Sequence, residues 1–305
     1  MKVHHLNCGT MCPVGGRLMD GPDRGSGPAR LVCHCLLIET DRSGLVLVDT
    51  GLGIQDVRSP RPRLSRFFMT LNRPQLIEEE TALRQVERLG FRAGDVRHIV
   101  ITHLDFDHAG GIEDFPQAMV HVYGTELAAA RERRGGMTGR GRYRPLQWDE
   151  GVHFQTYEVG GDAWFGFQSV RNLQGLPPEI AMVPLIGHTW GHCGIAIRAE
   201  GGWMLHAGDA YFYISEMDTA SPRCTPGLRF YQWMMEVDRS ARLANQERLR
   251  LLKRERGPEI RIFCAHDAVE LQGAQSHASV AERAAARPGQ RVISPEAGMP
   301  ASRGL

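Results

Sequence analysis

The sequence predicts an α/β fold, and three observations lead to that prediction. Short apolar runs rich in β-branched residues recur along the chain, and each is bounded by turn-forming residues. Helix-spaced apolar stripes lie between several of these runs. The 305 residues are 42% hydrophobic, which is enough to bury a sizeable core without disulfides. We therefore expect one α/β domain over residues 1–275, with insertions near 55–77 and 134–150 and a C-terminal tail at 276–305.

The first half of the chain predicts a strand pair, a helix and a third strand. Two apolar runs at 31–40 and 44–49 flank a short polar turn, which is typical of two paired strands. The proline-rich stretch 59–74 is too irregular for a core element and indicates an excursion or lid. A helical stripe over 78–89 precedes a buried strand over 96–102, which delivers the chain directly to His103.

The second half repeats this alternation. A strand over 118–123 precedes a helix that we expect to begin at Thr125 and end near Arg133, followed by a glycine- and arginine-rich mobile loop at 135–145. A helix is predicted within 234–253, and weak helical potential starts the tail at about residue 276. Further strands are predicted at 164–170, 180–185, 194–199, 203–207 and 260–265.

Composition excludes several classes of protein. With 36 basic and 35 acidic residues, the net charge of +1 does not suit nucleic-acid binding by bulk phosphate attraction. The chain has no apolar run of membrane-spanning length and no signal-like start, so we expect a cytoplasmic protein with no membrane partner. The 7 cysteines form no CxxC pair, and Cys33 and Cys35 are expected to be small buried side chains on one face of a strand.

A dense cluster of ionisable residues follows the strand at 96–102. Within six residues it contains His103, Asp105, Asp107 and His108, and a Gly-Gly pair follows at 110–111. Without a metal ion, groups packed this closely would repel or desolvate one another. Imidazole nitrogens and carboxylate oxygens together suit zinc, manganese or iron. The segment therefore predicts a metal site.

Three further polar segments also follow predicted strands. They place His188 and His192 after 180–185, Asp209 after 203–207, and His266 at the end of 260–265. One histidine after a strand is a weak signal. Four such segments at strand ends indicate a shared site, because open sheets collect their ligands where the strands end.

These motifs, in this order, resemble those of the metallo-β-lactamase superfamily. The resemblance covers about residues 30–270 and rests on LVDTG, THLDFDH, GHTWGH, AGDA and AHD. It implies a four-layer αβ/βα sandwich with a dinuclear metal site at one edge of the two sheets. It also implies two divalent metal ions, zinc first, with manganese or iron as alternatives.

The resemblance also assigns ligands by position. One metal would be held by His103, Asp105 and His188, and the other by Asp107, His108 and His266, with Asp209 bridging both. His192 would support a ligand or contact substrate, and Asp49 would orient the metal loop. Most relatives have histidine where this chain has Asp105. This carboxylate adds a negative charge at the first metal position, and it either binds the metal directly or reaches it through a water.

The implied reaction is hydrolysis by a bridging hydroxide that attacks a carbonyl, with Asp107 relaying a proton and Asp209 fixing the spacing of the metals. The motif style is closest to that of lactonases that open acyl-homoserine lactones and of related esterases. Those lactonases place a tyrosine three residues after the bridging aspartate, where this chain has Phe212. Tyr211 or Tyr213 is expected to substitute in contacting substrate, with core packing as the alternative. Phe67 and Phe68 are expected to form an apolar wall over the pocket.

We therefore predict a hydrolase of a small lactone or carboxylic ester. The alternatives are a thioesterase similar to glyoxalase II and a metal-containing binder of small acyl molecules that performs no turnover. The chain is too short to carry the extra domain of the nucleic-acid-processing branches, and a homodimer is left open.

Overall fold

Two sheets packed face to face form the centre of the protein, and helices cover the outer face of each sheet. The computed structural model describes residues 1–21, 27–148, 151–158, 160–199 and 201–285. The strands are β1 (Lys2–Met11), β2 (Leu31–Glu39), β3 (Leu45–Val48), β4 (Val96–Val100), β5 (Met119–Tyr123), β6 (His153–Tyr157), β7 (Asp162–Trp164), β8 (Phe167–Asn172), β9 (Ile180–Pro184), β10 (Cys193–Ala199), β11 (Gly202–His206) and β12 (Ile260–Phe263).

The helices connect the strands and lie on both sides of the paired sheets. They are α1 (Arg17–Asp20), α2 (Ile54–Arg58), α3 (Pro60–Arg63), α4 (Arg66–Leu71), α5 (Ala82–Arg88), α6 (Phe106–Ala109), α7 (Gly124–Glu132), α8 (Gly136–Arg142), α9 (Pro226–Met235), α10 (Arg239–Arg256) and α11 (Ala268–Ala285). Among the described residues, no helix combines the length and apolar character needed to cross a membrane.

Each sheet has 6 strands in the described part of the chain. The first has the order β1-β2-β3-β4-β5-β6, antiparallel as far as β3 and parallel from β3 to β6. The second has the order β12-β11-β10-β9-β8-β7, in which only β11 and β12 run parallel. Parallel strands end at the same edge of a sheet, so the loops after β3 and β4 emerge side by side.

Side chains alternate between the two faces of each strand, and the buried apolar residues form three separate clusters. On β2, Leu36 and Ile38 face the second sheet, while Cys35 and Leu37 face helices on the outside. Leu249 and Leu252 of α10 cover the outer face of the second sheet. The layers are therefore helix, sheet, sheet and helix, which confirms the predicted four-layer sandwich. Cys33 and Cys35 are both buried on the same face of β2, as predicted.

Several local predictions were wrong. The segment 135–145, predicted as a mobile loop, contains α8, and the excursion at 59–74 contains α3 and α4 with Phe68 buried. The helix predicted within 234–253 is divided between α9 and α10, because the Asp238 side chain caps a new helix by accepting the backbone N–H of Ala241. Strand β1 was not predicted; it pairs with β2 on both sides of an irregularity between Asn7 and Thr10. Helix α11 crosses residue 276, and residues 286–305 of the predicted tail lie outside the described residues.

Candidate metal centre

The four predicted segments meet at one edge of the sandwich. Strands β4, β9, β11 and β12 each end immediately before one of them. The regular strand ends before each segment, and Asp107 and His108 lie in the short helix α6, so the side chains can converge where a continuing sheet would alternate them. The seven predicted ligand residues are all buried there, at His103, Asp105, Asp107, His108, His188, Asp209 and His266.

The first group of ligand atoms surrounds a small volume. Asp105 Oδ2 lies 3.5 Å from His103 Nε2 and 3.2 Å from His188 Nε2. Asp209 Oδ2 lies 3.8 Å and 3.3 Å from the same two nitrogens. Two imidazole nitrogens and two carboxylate oxygens at these separations suit a tetrahedrally bound zinc ion or a similar metal.

The second group adjoins the first through Asp209. The other oxygen of this carboxylate, Oδ1, lies 3.3 Å from His108 Nε2 and 3.1 Å from His266 Nε2. These two nitrogens are 3.3 Å apart, and Asp107 Oδ2 lies 3.9 Å from His266 Nε2. Among the described residues, His103 Nε2 and Asp209 Oδ1 are buried without a hydrogen-bond partner. Buried polar atoms are costly unless something binds them, so the residues present fit a pair of metal ions.

Three of the four histidines are oriented by their second ring nitrogen. Nδ1 of His108 lies 2.8 Å from Asp49 Oδ2, and Nδ1 of His266 lies 2.7 Å from the Val32 carbonyl oxygen. Nδ1 of His103 lies 3.0 Å from Thr102 Oγ1. A proton on Nδ1 that is donated in this way leaves Nε2 unprotonated and aimed into the centre, as metal-binding histidines require.

Asp49 orients the loop that carries these histidines. Its Oδ1 accepts the Thr102 backbone N–H at 2.8 Å, and its Oδ2 accepts the Thr102 hydroxyl at 2.7 Å. Burial raises the pKa of Asp49, but the charge and hydrogen bond of His108 outweigh burial, so the net pKa is lowered. The carboxylate therefore stays ionised beside His108. The role of Asp49 as an orienting residue, implied by the resemblance, agrees with these contacts.

Glu126 of α7, which the sequence did not single out, links two of the ligand segments. One carboxylate oxygen accepts the backbone N–H of Leu104 at 3.0 Å, and the other accepts that of Gly191 at 2.9 Å. The side chain is fully buried, and burial raises the pKa of its carboxyl group. Glu126 thus keeps the loops of His103 and His188 in register with each other.

His192 supports Asp209 rather than contacting substrate. Its Nδ1 donates to the Leu185 carbonyl at 2.8 Å, and its Nε2 accepts the backbone N–H of Asp209 at 2.9 Å. The ring is buried with both nitrogens engaged, which fits the supporting role of the two predicted for it. Gly208 permits this approach because it has a φ of +53°, and a Cβ there would lie 2.5 Å from His192 Nε2.

Arg142, at the end of α8, reaches into the centre. Its Nη2 lies 2.9 Å from Asp105 Oδ2, and its Nε lies 2.9 Å from Asp105 Oδ1. Burial raises the pKa of Asp105, but Arg142 together with His103 and His188 outweighs burial and holds the net pKa well below the usual range. The Asp105 carboxylate belongs to the first group of ligand atoms, and the buried guanidinium of Arg142 pairs with its negative charge. Nothing in the glycine- and arginine-rich sequence of this segment distinguishes Arg142 from Arg140.

An apolar pocket of about 370 Å³ adjoins the centre. Phe106, which lies between Asp105 and Asp107 in the chain, and Arg142 border both. Phe67 and Phe68 line this pocket, as does Tyr231 of α9, which the sequence did not single out. The other lining residues are Ser65, Asn72, Met137, Thr138, Gly141, Met234 and Met235.

The two tyrosines that flank Phe212 lie elsewhere. The Tyr211 hydroxyl donates to Glu270 at 2.9 Å, and its ring is buried in the core of the second sheet. The Tyr213 hydroxyl lies against Gly21. Neither side chain lines the pocket, and both rings fill packing positions, which was the alternative role predicted for them. Phe212 itself stacks on His266 with ring centroids 5.0 Å apart, and Tyr231 packs against the edge of Phe212.

Cys33 lies closer to the centre than its expected packing role required. Its Sγ, a carboxylate oxygen of Asp107 and a nitrogen of His266 lie within 4.8 Å of one another. Burial and the neighbouring Asp107 raise the pKa of the thiol well above its ordinary value. Cys33 is therefore a neutral, apolar neighbour of the second group of ligand atoms.

Known proteins share this sequence pattern. A family model described as the metallo-beta-lactamase superfamily matches residues 28–266. A probable metallo-hydrolase of Mycobacterium tuberculosis is 42% identical over 267 residues, which is 88% of this chain and 80% of that protein. An N-acyl homoserine lactonase of Bacillus thuringiensis subsp. kurstaki is 34% identical over 126 residues, covering 40% of this chain and 50% of that protein.

Solved structures share the fold. An N-acyl homoserine lactone hydrolase with the product N-hexanoyl-L-homoserine bound at its catalytic metal centre has a TM-score of 0.66 at 22% identity, covering 89% of this chain and 95% of that one. A dizinc quorum-quenching lactonase in complex with a product has a TM-score of 0.55 at 16% identity, covering 87% of this chain and 86% of that one. With the family match over most of its length and the sandwich of two sheets, the chain belongs to the metallo-beta-lactamase superfamily.

Proposed function

We propose that the protein is a metal-dependent hydrolase that opens a lactone or cleaves a carboxylic ester carrying an apolar acyl group. One observation carries the proposal: two groups of buried ligand atoms share Asp209, directly beside an apolar pocket. Ligand pockets are typically apolar with a few polar groups that fix orientation. The lactonase names among the similar proteins support the same class of substrate.

Two groups of residues would hold the metal ions for such a reaction. His103, Asp105, His188 and Asp209 would hold one ion, and His108, His266, Asp107 and Asp209 the other. When bound, two divalent ions supply Lewis acidity toward a carbonyl oxygen and lower the pKa of water. Zinc suits this donor set best, and manganese and iron are alternatives because both clusters contain carboxylates.

Asp107 is suited to proton transfer. In the metal-free protein, burial raises the pKa of its carboxyl group, which favours proton uptake relative to an exposed aspartate. It is 8% exposed, unlike the fully buried His103, so it lies at the accessible side of the centre. We assign Asp107 to carry a proton to the leaving oxygen and Asp209 to hold the two ions together.

The pocket would bind the apolar part of the substrate. Phe67, Phe68 and Phe106 contribute aromatic side chains to its lining, and α9 contributes Met234 and Met235. Tyr231 lines the pocket and its ring packs on Phe212, so we assign its hydroxyl to contact a substrate carbonyl. Burial and the carboxylates of Asp107, Asp105 and Asp209 raise its pKa, so it remains a proton donor.

A substrate panel tests the proposal. Metal-loaded protein is assayed with acyl lactones, aryl esters and acyl thioesters, and metal content is measured by mass spectrometry. We expect lactone or ester turnover that an Asp209→Ala variant loses by a factor of at least about 10³. Thioester turnover alone would favour a thioesterase, and full metal loading without turnover on any substrate would favour a binding protein.

A further inference from the structure

The four ligand histidines are not held alike. In His103, His108 and His266, Nδ1 is paired with a hydroxyl, a carboxylate and a carbonyl oxygen, respectively. In His188, Nδ1 is buried without a hydrogen-bond partner among the described residues. Its Nε2 instead lies 2.9 Å from Arg142 Nη2. The ring of His188 is thus oriented through the nitrogen that would bind metal.

The direction of the hydrogen bond between Arg142 and His188 is fixed by the chemistry of the two groups. A guanidinium group donates hydrogen bonds and cannot accept them, so Arg142 must donate to His188 Nε2. A neutral imidazole nitrogen offers one lone pair, and that lone pair accepts either an N–H or a metal ion. The same Nη2 also lies 2.9 Å from Asp105 Oδ2. Arg142 therefore engages two of the three atoms that the first metal position takes from outside Asp209.

Burial and hydrogen bonds fix the position of the Arg142 side chain. Its side chain is 1% exposed, and Nη1 donates to the carbonyl oxygens of His188 at 3.1 Å and Met235 at 3.0 Å. Burial lowers the pKa of the guanidinium, but Asp105 outweighs burial and raises the net pKa. A buried charge is stable when it is paired and fully hydrogen-bonded, and both conditions hold here.

The second metal position meets no such competitor. His108 Nε2 and His266 Nε2 face each other and Asp209, and among the described residues no arginine or lysine donates to either nitrogen. Both rings are fixed through Nδ1, so their metal-binding atoms are already aimed.

We propose that Arg142 competes with the metal ion for His188, so that the centre loads in order. The position of His108, His266, Asp107 and Asp209 binds metal tightly and first. The position of His103, Asp105 and His188 binds more weakly, because Arg142 must first release His188 Nε2. This inference rests on the metal centre of the proposed function and not on the reaction.

Metal titration tests the order of loading. Chelator-stripped protein is titrated with Zn²⁺ by calorimetry against a competing chelator, without substrate. Wild type should bind two ions in separate steps, the second at least about tenfold weaker than the first. In Arg142→Met the second step should tighten by about tenfold or more, since the competitor is gone. Arg140→Met, an exposed arginine in the same helix, should match wild type.

A further variant keeps the test decisive if Arg142→Met fails to fold, which circular dichroism would show. His188→Ala should lose the weak step and keep the tight one. Two equal steps in wild type, a second step weakened in folded Arg142→Met, or loss of the tight step in His188→Ala would each overturn the proposal. Ordered loading without hydrolysis of any panel substrate would overturn only the proposed reaction.

Discussion

His192 accepts a hydrogen bond from the backbone N–H of Asp209 over 2.9 Å, and so places the carboxylate that the two groups of ligand atoms share. His192→Leu fills the buried position with an apolar side chain and removes the nitrogen that accepts the Asp209 backbone N–H. We expect metal affinity to fall by about 10- to 100-fold, since residues that orient a ligand typically contribute that much. The measurement is Zn²⁺ affinity by chelator competition. The exposed His153 of β6 supplies a control, and equal affinities for His153→Leu and His192→Leu would contradict the expectation.

Glu126 is expected to contribute to stability because its carboxylate accepts hydrogen bonds from two backbone N–H groups, those of Leu104 and Gly191. Glu126→Gln retains one acceptor oxygen and turns an amide toward the other backbone N–H. That leaves a buried donor unsatisfied, so the free energy of unfolding should fall by about 1–3 kcal/mol. Urea denaturation measures the change. Glu132→Gln in the same helix removes an exposed ion pair with Arg134, and it should lower stability by less than about 1 kcal/mol. Equal losses of unfolding free energy in the two variants would contradict a specific stabilising role for the contacts of Glu126 with Leu104 and Gly191.

Metal removal should destabilise the fold. The carboxylates of Asp105, Asp107 and Asp209 are buried together, and bound cations would stabilise them. Metal at about 100 times its Kd should raise the free energy of unfolding by about 3 kcal/mol over the chelator-treated protein. Thermal melts with and without chelator measure this difference. Asp209→Ala should melt at nearly the same temperature in both conditions, and an unchanged wild-type melting temperature would count against a metal centre.

Glu270 should make stability depend on pH. Burial raises the pKa of its carboxyl group from 4.5 to about 7 in the folded protein. Between these values the unfolded state releases the proton and the folded state keeps it, so the contribution to stability decreases as pH rises through this window. The decrease is on the order of 3 kcal/mol. Glu270→Gln mimics the protonated form, so its unfolding free energy should fall less than that of wild type between about pH 5 and pH 8.

The control for Glu270 is the exposed Glu247 of α10, whose side chain is 66% exposed. Glu247→Gln should retain the pH dependence of wild type in urea unfolding. If Glu270→Gln and wild type gave parallel curves, the buried carboxyl group would not be the source of that dependence.

Phe67 should act on substrate choice and Phe68 on stability, although both line the pocket. Phe67 is 59% exposed, so Phe67→Ala should leave stability nearly unchanged and lower kcat/KM for long acyl chains more than for short ones. Phe68 is 2% exposed, and Phe68→Ala should cost about 3–5 kcal/mol of unfolding free energy. Kinetics over a series of chain lengths and urea denaturation separate the two effects. If a variant with both Phe67→Ala and Phe68→Ala kept kcat/KM unchanged for every active substrate, a role of these residues in substrate choice would be contradicted.

Much of the site was accessible from the sequence because its residues follow strands. His103, His188, Asp209 and His266 each come shortly after a recognisable apolar run, and strand ends converge in an open sheet. The fold class followed from the same alternation. Strand β1 escaped detection because its residues include two histidines and an asparagine, so its periodicity is weak.

The partners of the predicted ligands could not be found in this way. Arg142 and Glu126 lie on helices and reach the centre only through tertiary packing, and neither has a distinctive local pattern. Their selection depends on three-dimensional proximity to Asp105 and to the backbone of Leu104. For Tyr211 and Tyr213 the sequence left two roles open for the same reason, because the direction of a side chain in an irregular loop is set by the cores around it.

The hydrogen bond from His266 to the Val32 carbonyl oxygen crosses between the two halves of the sandwich. His266 follows β12 of one sheet, and Val32 belongs to β2 of the other. His206 of β11 makes a second such bond, to the carbonyl oxygen of His34 at 2.6 Å. Sliding of one sheet over the other would therefore displace an expected metal ligand. Substitutions in the core between the sheets, such as at Ile38 or Ile195, should for this reason alter metal affinity from a distance, so the packing of the interior sets the chemistry at its edge.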